Sequence, residues 1–281
     1  MPGPAGARPA SQGRSEERAI VHFGRIERVD YAGPLWEVEG IHPRLKVHLA
    51  ARDRLVVLAH GSPPYAVVLG VPHHSAVGHG QLCERRLDRE GRPNPRVSDE
   101  ATAPYALVAL EALRREGVPA RLVVMAHATT HDPNKHARSP YTCALFEEPV
   151  ALLFECHGSG PRRALPLELS AGNNPLADPL RCGRALAETL ERRYALGVQR
   201  EPGTREALIF HPDGSETPGR LQLSARRTLS LVEAGRLGIQ ALHLEAKPRF
   251  RTPRGSELGL TPEGRFLGQA IARALVRYLD G

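Results

Sequence analysis

The chain has 281 residues, of which 41% are hydrophobic and 25% are charged; fractions of this size are typical of a globular protein and exclude extensive disorder. No apolar run approaches the roughly 20 residues needed to span a bilayer, so we expect no membrane partner. The net charge of +7 comes from basic residues spread along the chain, and only 5% of residues are aromatic. Both features argue against a nucleic-acid partner.

The N-terminal segment and the cysteines indicate the compartment. Residues 1–17 are rich in Pro, Gly, Ala, Arg and Ser and lack an apolar core, which predicts a flexible tail and not a secretory signal. The cysteines at positions 83, 143, 156 and 182 are scattered and include no CxxC pair. We therefore expect free thiols in a cytoplasmic protein, without a disulfide framework or a cysteine-ligated zinc ion.

Short runs rich in Val, Ile and Leu alternate with longer amphipathic segments along the chain. The runs predict strands at residues 20–29, 35–38, 55–59, 66–71, 122–126, 150–156, 207–210 and 239–244. Helices are predicted at residues 98–115, 176–196, 224–237 and 261–279. This alternation predicts a three-layer α/β/α sandwich around a mixed, mostly parallel sheet. We expect residues 18–281 to form one α/β domain, in which residues 18–50 are an N-terminal β extension.

Two of the predicted strands lead into a histidine. The segment VPHHS at residues 71–75 contains His73, and the segment FECHGSG at residues 154–160 contains His157. Ligands of open α/β sheets bind beyond the carboxyl ends of the strands, and catalytic zinc takes three protein ligands from histidine and carboxylate. The two histidines therefore predict a zinc site, the alternative being that each is a structural, hydrogen-bonded residue.

The third zinc ligand is a carboxylate, for which the segment SDEAT at residues 98–102 offers Asp99 and Glu100. Both lie in the first turn of the predicted helix at residues 98–115. Acidic residues at that place also complement the helix dipole, so a purely structural role is the alternative. The pattern leaves the choice between the two carboxylates open.

Two further polar segments follow predicted strands. In HDPNK at residues 131–135, Asn134 and Lys135 are candidates to bind an anionic substrate group, although the same residue types favour a plain turn. In LEAKPRFR at residues 244–251, Glu245 is a candidate general base. The cations behind it, which are suited to a substrate carboxylate or a developing oxyanion, are Lys247, Arg249 and Arg251. The alternative is an exposed cluster of ion pairs.

Taken in order, the segments VPHHS, SDEAT, HDPNK, ECHGS and LEAKPRFR resemble the N-formylglutamate amidohydrolases, which are relatives of the zinc carboxypeptidases. The resemblance covers roughly residues 55–281. It implies that zinc is held by His73, by His157 and by Asp99 or Glu100. It also implies that Glu245 is the general base.

The resemblance extends to the residues around these positions. Asp132 and Asn134 fall on an Asp and an Asn of the family, and Lys135 stands where the family has Arg. Glu155 replaces an Asp two residues before the second histidine, where it can orient a metal ligand by hydrogen bonding. Because Pro248 changes the spacing from the late glutamate to the next cation, both Arg249 and Arg251 are candidates for the family's Arg.

These motifs predict a zinc-dependent amidohydrolase that cleaves an amide bond in a small carboxylate-bearing substrate, such as an N-acyl or N-formyl amino acid. In this hypothesis Glu245 takes a proton from a metal-activated water, and Arg249 stabilises the oxyanion while Arg251, Asn134 and Lys135 bind substrate. One alternative is a zinc carboxypeptidase-like peptidase. Others are a metal-free serine or cysteine hydrolase, although no Gly-x-Ser-x-Gly motif is present, and a non-catalytic protein that binds an anion.

Overall fold

The computed structural model describes residues 26–38, 40–51, 53–74, 86–87, 93–94, 101–127, 132–161, 163–226, 228–251 and 258–281. The predicted tail at residues 1–17, the start of the first predicted strand and the candidate ligands Asp99 and Glu100 lie outside these ranges. Within them, no helix combines the length and the apolar character that crossing a membrane requires.

A mixed sheet forms the centre of the fold. In the described part of the chain, ten strands follow the order β1-β4-β8-β5-β9-β14-β10-β11-β12-β13, with two separate two-stranded pairs, β2-β3 and β6-β7. The strands are β1 Glu27–Tyr31, β2 Trp36–Glu37, β3 Gly40–Ile41, β4 Arg54–His60, β5 Tyr65–Val71, β6 Arg86–Leu87, β7 Pro93–Asn94, β8 Ala120–Met125, β9 Val150–Gly158, β10 Leu167–Ser170, β11 Leu196–Gln199, β12 Glu206–Phe210, β13 Glu216–Arg220 and β14 Gln240–Ala246.

Helices cover both faces of the sheet. They are α1 Pro43–Ala50, α2 Ala103–Arg115, α3 Pro140–Phe146, α4 Pro179–Thr189, α5 Leu229–Arg236 and α6 Pro262–Asp280, with 3₁₀ turns at Pro133–Lys135 and Pro248–Phe250. Buried residues of α1, α2, α4 and α6 form the larger apolar core on one face. Residues of α3 and α5 form a smaller core on the other. The three-layer α/β/α architecture predicted from the sequence is confirmed.

Most predicted elements are present but differ at their ends. Helix α2, predicted from residue 98, begins at Ala103, so Asp99 and Glu100 precede it. Helix α3 and strands β10 and β13 were not predicted.

Helix α6 begins as predicted after Thr261, whose hydroxyl accepts a hydrogen bond from the Gly264 N–H at 2.9 Å. The helix predicted at residues 176–196 is too long. Helix α4 stops at Thr189, Glu191 and Arg192 take positive φ angles of 51°, and Leu196 begins strand β11. The apolar spacing continues past Thr189 because Leu196 is buried in the sheet and not on the helix.

The N-terminal part of the described chain also differs from a pure β extension. Strand β1 lies at the edge of the main sheet, parallel to β4, and residues Pro43–Ala50 are helical. Pro43 occupies the first turn of that helix, where its missing N–H has no intrahelical acceptor to lose. This proline is the sequence signal for the helix.

The strands that matter for function lie in the middle of the sheet. Strands β8, β5, β9 and β14 are adjacent and parallel, so their carboxyl ends meet at one edge. Each of these ends leads into a segment that the sequence marks as polar. An open α/β sheet binds ligands at such an edge.

Candidate metal centre

His73 is positioned by the end of β5 and by a carboxylate from the next connection along the sheet. It follows the last residue of β5 by two positions and is buried. Its Nε2 lies 2.8 Å from Oδ1 of Asp132, which is also buried and precedes the 3₁₀ turn Pro133–Lys135. A histidine whose Nε2 is held by a carboxylate presents Nδ1 to a metal, as in the carboxylate–histidine–zinc arrangement.

His157 has the same kind of partner. It lies next to the last residue of β9, and its Nε2 is 3.3 Å from Oε2 of Glu155 and 3.4 Å from Nδ2 of Asn134. The ring centroids of His73 and His157 are 5.0 Å apart, with the ring planes at 79°. The structure therefore brings together two histidines that are separated by 84 positions in the sequence, although their role as metal ligands stays a prediction.

Glu155 is the most deeply buried charged group of the site. Its Oε1 accepts a hydrogen bond from the Tyr141 hydroxyl of α3 at 3.0 Å. Burial acts to raise the pKa of Glu155, but its interactions with His157 and His243 outweigh that effect and hold the pKa well below its usual range. Glu155 is therefore a carboxylate that hydrogen-bonds to His157 and forms a longer ion pair with His243.

His243 is a site residue that the sequence motifs do not mark. Its Nε2 lies 2.9 Å from Oε1 of Glu245 on the same strand, and its Nδ1 lies 3.6 Å from Oε2 of Glu155. Burial acts to lower the pKa of His243, but the two carboxylates outweigh this effect and raise it to about 9. A weaker signal is present in β14, because residues two apart on a strand share a face, and His243 precedes the candidate base by two positions.

Glu155, His157 and His243 form a group that could hold a metal ion. Each offers one ligand atom, and these atoms all lie within 4.8 Å of one another. This set differs from the predicted one, which contains His73 and a carboxylate at position 99 or 100. His157 is common to both sets.

Glu245 is placed beside His157 by the pairing of β14 with β9, in which the two residues are register partners. Its Oε2 is buried and has no hydrogen-bond partner among the described residues. On its other side it pairs with Glu168 of β10, whose carboxylate accepts the backbone N–H groups of Gln222 and Leu223 at 3.0 and 2.9 Å. Burial raises the pKa of Glu168, and the charge of Glu245 adds to that effect.

The predicted substrate-binding residues do not all meet at this place. Arg251 is buried, and its Nη2 donates to the Ser159 carbonyl oxygen at 3.1 Å, two positions beyond His157. The guanidinium of Arg249 instead lies over the rings of Tyr194 and Phe250, 5.2 and 5.5 Å from their centroids. Arg249 lies within the 3₁₀ turn Pro248–Phe250 and Arg251 follows it, so their side chains point in different directions.

Of the remaining candidates, Asn134 contacts His157, whereas the two lysines are partly exposed. Asn134 is buried, and its Oδ1 has no hydrogen-bond partner in the described part of the chain. Lys135, which ends the turn Pro133–Lys135, is partly exposed. Lys247 is also partly exposed, with its Nζ 3.5 Å from the Ala164 carbonyl oxygen.

Neither a protein-family model nor a curated protein sequence matches this chain. Among solved structures, it is similar to a bacteriophage poly-gamma-glutamate hydrolase at 11% identity and a TM-score of 0.44, over 80% of this chain and 89% of that one. An N-formylglutamate amidohydrolase from Ralstonia eutropha JMP134 gives 11% identity and a TM-score of 0.44, over 80% and 97% of the two chains. A metallo-carboxypeptidase from Burkholderia cenocepacia gives 12% and 0.42, over 80% and 60%.

The family that the sequence motifs resemble is thus represented among these structures, as are the metallo-carboxypeptidases. This chain spans about three fifths of the carboxypeptidase. Sequence identities and TM-scores at this level carry no assignment of activity, so the functional proposal rests on the residues of this chain.

Gly70 offers a test of how closely the site is packed. A Cβ at this position would overlap the Tyr141 hydroxyl oxygen and lie 3.2 Å from Cγ of Glu155. We expect Gly70→Ala to lower the free energy of unfolding by about 1–3 kcal/mol through overpacking, as measured by chemical denaturation. Gly160→Ala is the matched control, because no described atom lies within 4 Å of the Cβ that alanine would place there. Equal stability of the two variants would contradict the packing described here.

Proposed function

We propose that this chain is a zinc-dependent hydrolase that cleaves an amide bond in a small carboxylate-bearing substrate. The observation that carries the proposal is the pair His73 and His157, whose ring centroids lie 5.0 Å apart at the ends of adjacent strands. The Nε2 of each ring is held by a carboxylate, so each would offer Nδ1 to a shared ion. Two imidazoles and one carboxylate are a common ligand set of catalytic zinc.

The alternative group of Glu155, His157 and His243 suits a metal less well. Its members already hydrogen-bond or ion-pair with one another. The carboxylates beside His243 raise its pKa, and its ring forms an ion pair with Glu155 at 3.6 Å that needs no metal ion. We therefore propose His73 and His157 as ligands, with Asp99 or Glu100 as the third.

In the proposed reaction the protein groups have separate tasks. A bound zinc ion would polarise the substrate carbonyl and lower the pKa of its water to about 7. Glu245 accepts the proton of the attacking water and would return it to the leaving nitrogen as the C–N bond breaks, a role supported by the buried Oε2 that has no partner among the described residues. Arg251 and Asn134 are proposed to bind the substrate carboxylate or the developing oxyanion.

The surroundings of Cys156 argue against a cysteine nucleophile. Cys156 belongs to the apolar core on the face of the sheet opposite to Glu155 and His157. Burial raises the pKa of its thiol far above the usual value, so the reactive thiolate is not populated near neutral pH. A chelator that abolishes activity, with recovery on adding zinc, would separate a metal-dependent hydrolase from a serine hydrolase.

The first test replaces the proposed base. We expect Glu245→Gln to lower kcat on a panel of N-formyl and N-acetyl amino acids by at least about 10²–10⁴-fold, because the variant removes the proton acceptor. The zinc content, measured by atomic emission, should stay at the wild-type level. Glu216→Gln on the exposed strand β13 is the matched control. Full activity of Glu245→Gln would rule out the assigned base.

The second test compares the two arginines. Arg251→Met should raise KM for a carboxylate-bearing substrate by roughly 10-fold or more, because a charge-assisted hydrogen bond contributes about 1.5–3 kcal/mol. Arg249→Met should raise it less, because Arg249 lies over Tyr194 and away from His157. Steady-state kinetics on the two variants decide between them. A larger effect at Arg249 would overturn the assignment of Arg251.

A further inference from the structure

We propose that His243 is a positioning residue that holds the carboxylate of Glu245 in the orientation needed for proton transfer. The catalytic role of His243 rests on the proposed function, whereas its contact with Glu245 follows from the geometry of β9 and β14. It adds a residue that the predicted site does not contain.

The strands place His243 between two carboxylates. His243 and Glu245 are two positions apart on β14 and so share a face of the sheet. In the register of β14 with β9, His243 pairs with Glu155 and Glu245 pairs with His157. All four side chains are buried. These four side chains therefore form one buried cluster on the face of the sheet that carries α3 and α5.

Within this cluster, His243 hydrogen-bonds to one carboxylate oxygen of Glu245, the candidate base. Its Nε2 is 2.9 Å from Oε1 of Glu245, and because a carboxylate can only accept, Nε2 carries the proton. The second oxygen, Oε2, is buried without a partner among the described residues. Rotation of the carboxylate would break the bond to His243, so the bond fixes where Oε2 points.

The imidazole is itself anchored at its other side. Its Nδ1 lies 3.6 Å from Oε2 of Glu155, and Glu155 is held by the Tyr141 hydroxyl. The ring also lies against His157, with centroids 4.0 Å apart and planes at 30°. Because the ring is fixed by an ion pair and by packing, its hydrogen bond also fixes the orientation of the Glu245 carboxylate.

A role in packing alone would be met by an apolar residue at position 243, whereas positioning of Glu245 requires an N–H donor. His243→Met has a similar volume and no donor, whereas His243→Gln keeps an N–H group near the position of Nε2. Should His243→Met fail to fold, His243→Phe keeps a ring against His157 without a donor. His211→Met is the matched control, since His211 hydrogen-bonds to Thr217 on the remote β12–β13 hairpin.

We expect His243→Met to lower kcat by roughly 10²-fold, the scale of a small misplacement of a catalytic group, with KM within about twofold of wild type and zinc content unchanged. His243→Gln should recover most of the loss. Loss of zinc in His243→Met would identify His243 as a metal ligand and overturn the proposal, as would an unchanged kcat.

Crystal structures of the same variants separate this proposal from the proposed function. The carboxylate of Glu245 should turn away from its wild-type position in His243→Met and keep that position in His243→Gln. If the wild-type protein hydrolyses no substrate of the panel, the proposed hydrolase function fails, and the structures still decide whether His243 positions Glu245. An unmoved Glu245 in His243→Met would overturn the positioning role.

Discussion

The in-register pairing of β9 with β14 brings four titratable side chains onto one buried face of the sheet. Glu155 and His157 come from β9, and His243 and Glu245 come from β14. Removing charged groups from water costs several kcal/mol for each ion unless they are paired. Here each of the two carboxylates has a histidine within 3.3 Å. Strand pairing thus brings each carboxylate beside a histidine. Removing one member of the cluster would leave a buried charge unpaired and would strongly destabilise the folded protein.

Residues on both faces of the sheet contact this cluster or leave room for it. On the face of the cluster, Gly70 of β5 leaves room for Tyr141 of α3 to reach Glu155. From the opposite face, the hydroxyl of Tyr105 in α2 donates to the carbonyl oxygen of His157 at 3.0 Å. Beyond the strand end, Gly158 lets Arg251 approach, since a Cβ there would lie 2.5 Å from Nη1 of that arginine. Small residues therefore stand where polar groups must come close.

Strand ends could be predicted from the sequence because each consists of an apolar run followed by a polar group. This pattern located His73, His157 and Glu245, and it also indicated the three-layer architecture. His243 was missed because it lies inside a strand, where only the two-residue alternation relative to Glu245 marks it. Hydrophobic spacing in the predicted helix at residues 176–196 could not show that the chain reverses near Glu191 and enters β11.

The sequence could not show which of the two arginine side chains, Arg249 or Arg251, points toward the site. Arg249 and Arg251 are separated by two positions in a 3₁₀ turn and its end, and small changes in backbone angles decide which one faces the site. The described geometry favours Arg251, which is buried beside Gly158. Asp99 and Glu100 lie outside the described residues, so the third ligand stays a prediction.

We propose that His73 and His157 share one zinc ion through their Nδ1 atoms. A crystal structure of the zinc-loaded protein, with data collected on both sides of the zinc absorption edge, tests it directly. We expect one anomalous peak about 2.0–2.1 Å from Nδ1 of both histidines, with a carboxylate from position 99 or 100 as a further ligand. A peak enclosed by Glu155, His157 and His243, and out of bonding distance of His73, would contradict this assignment.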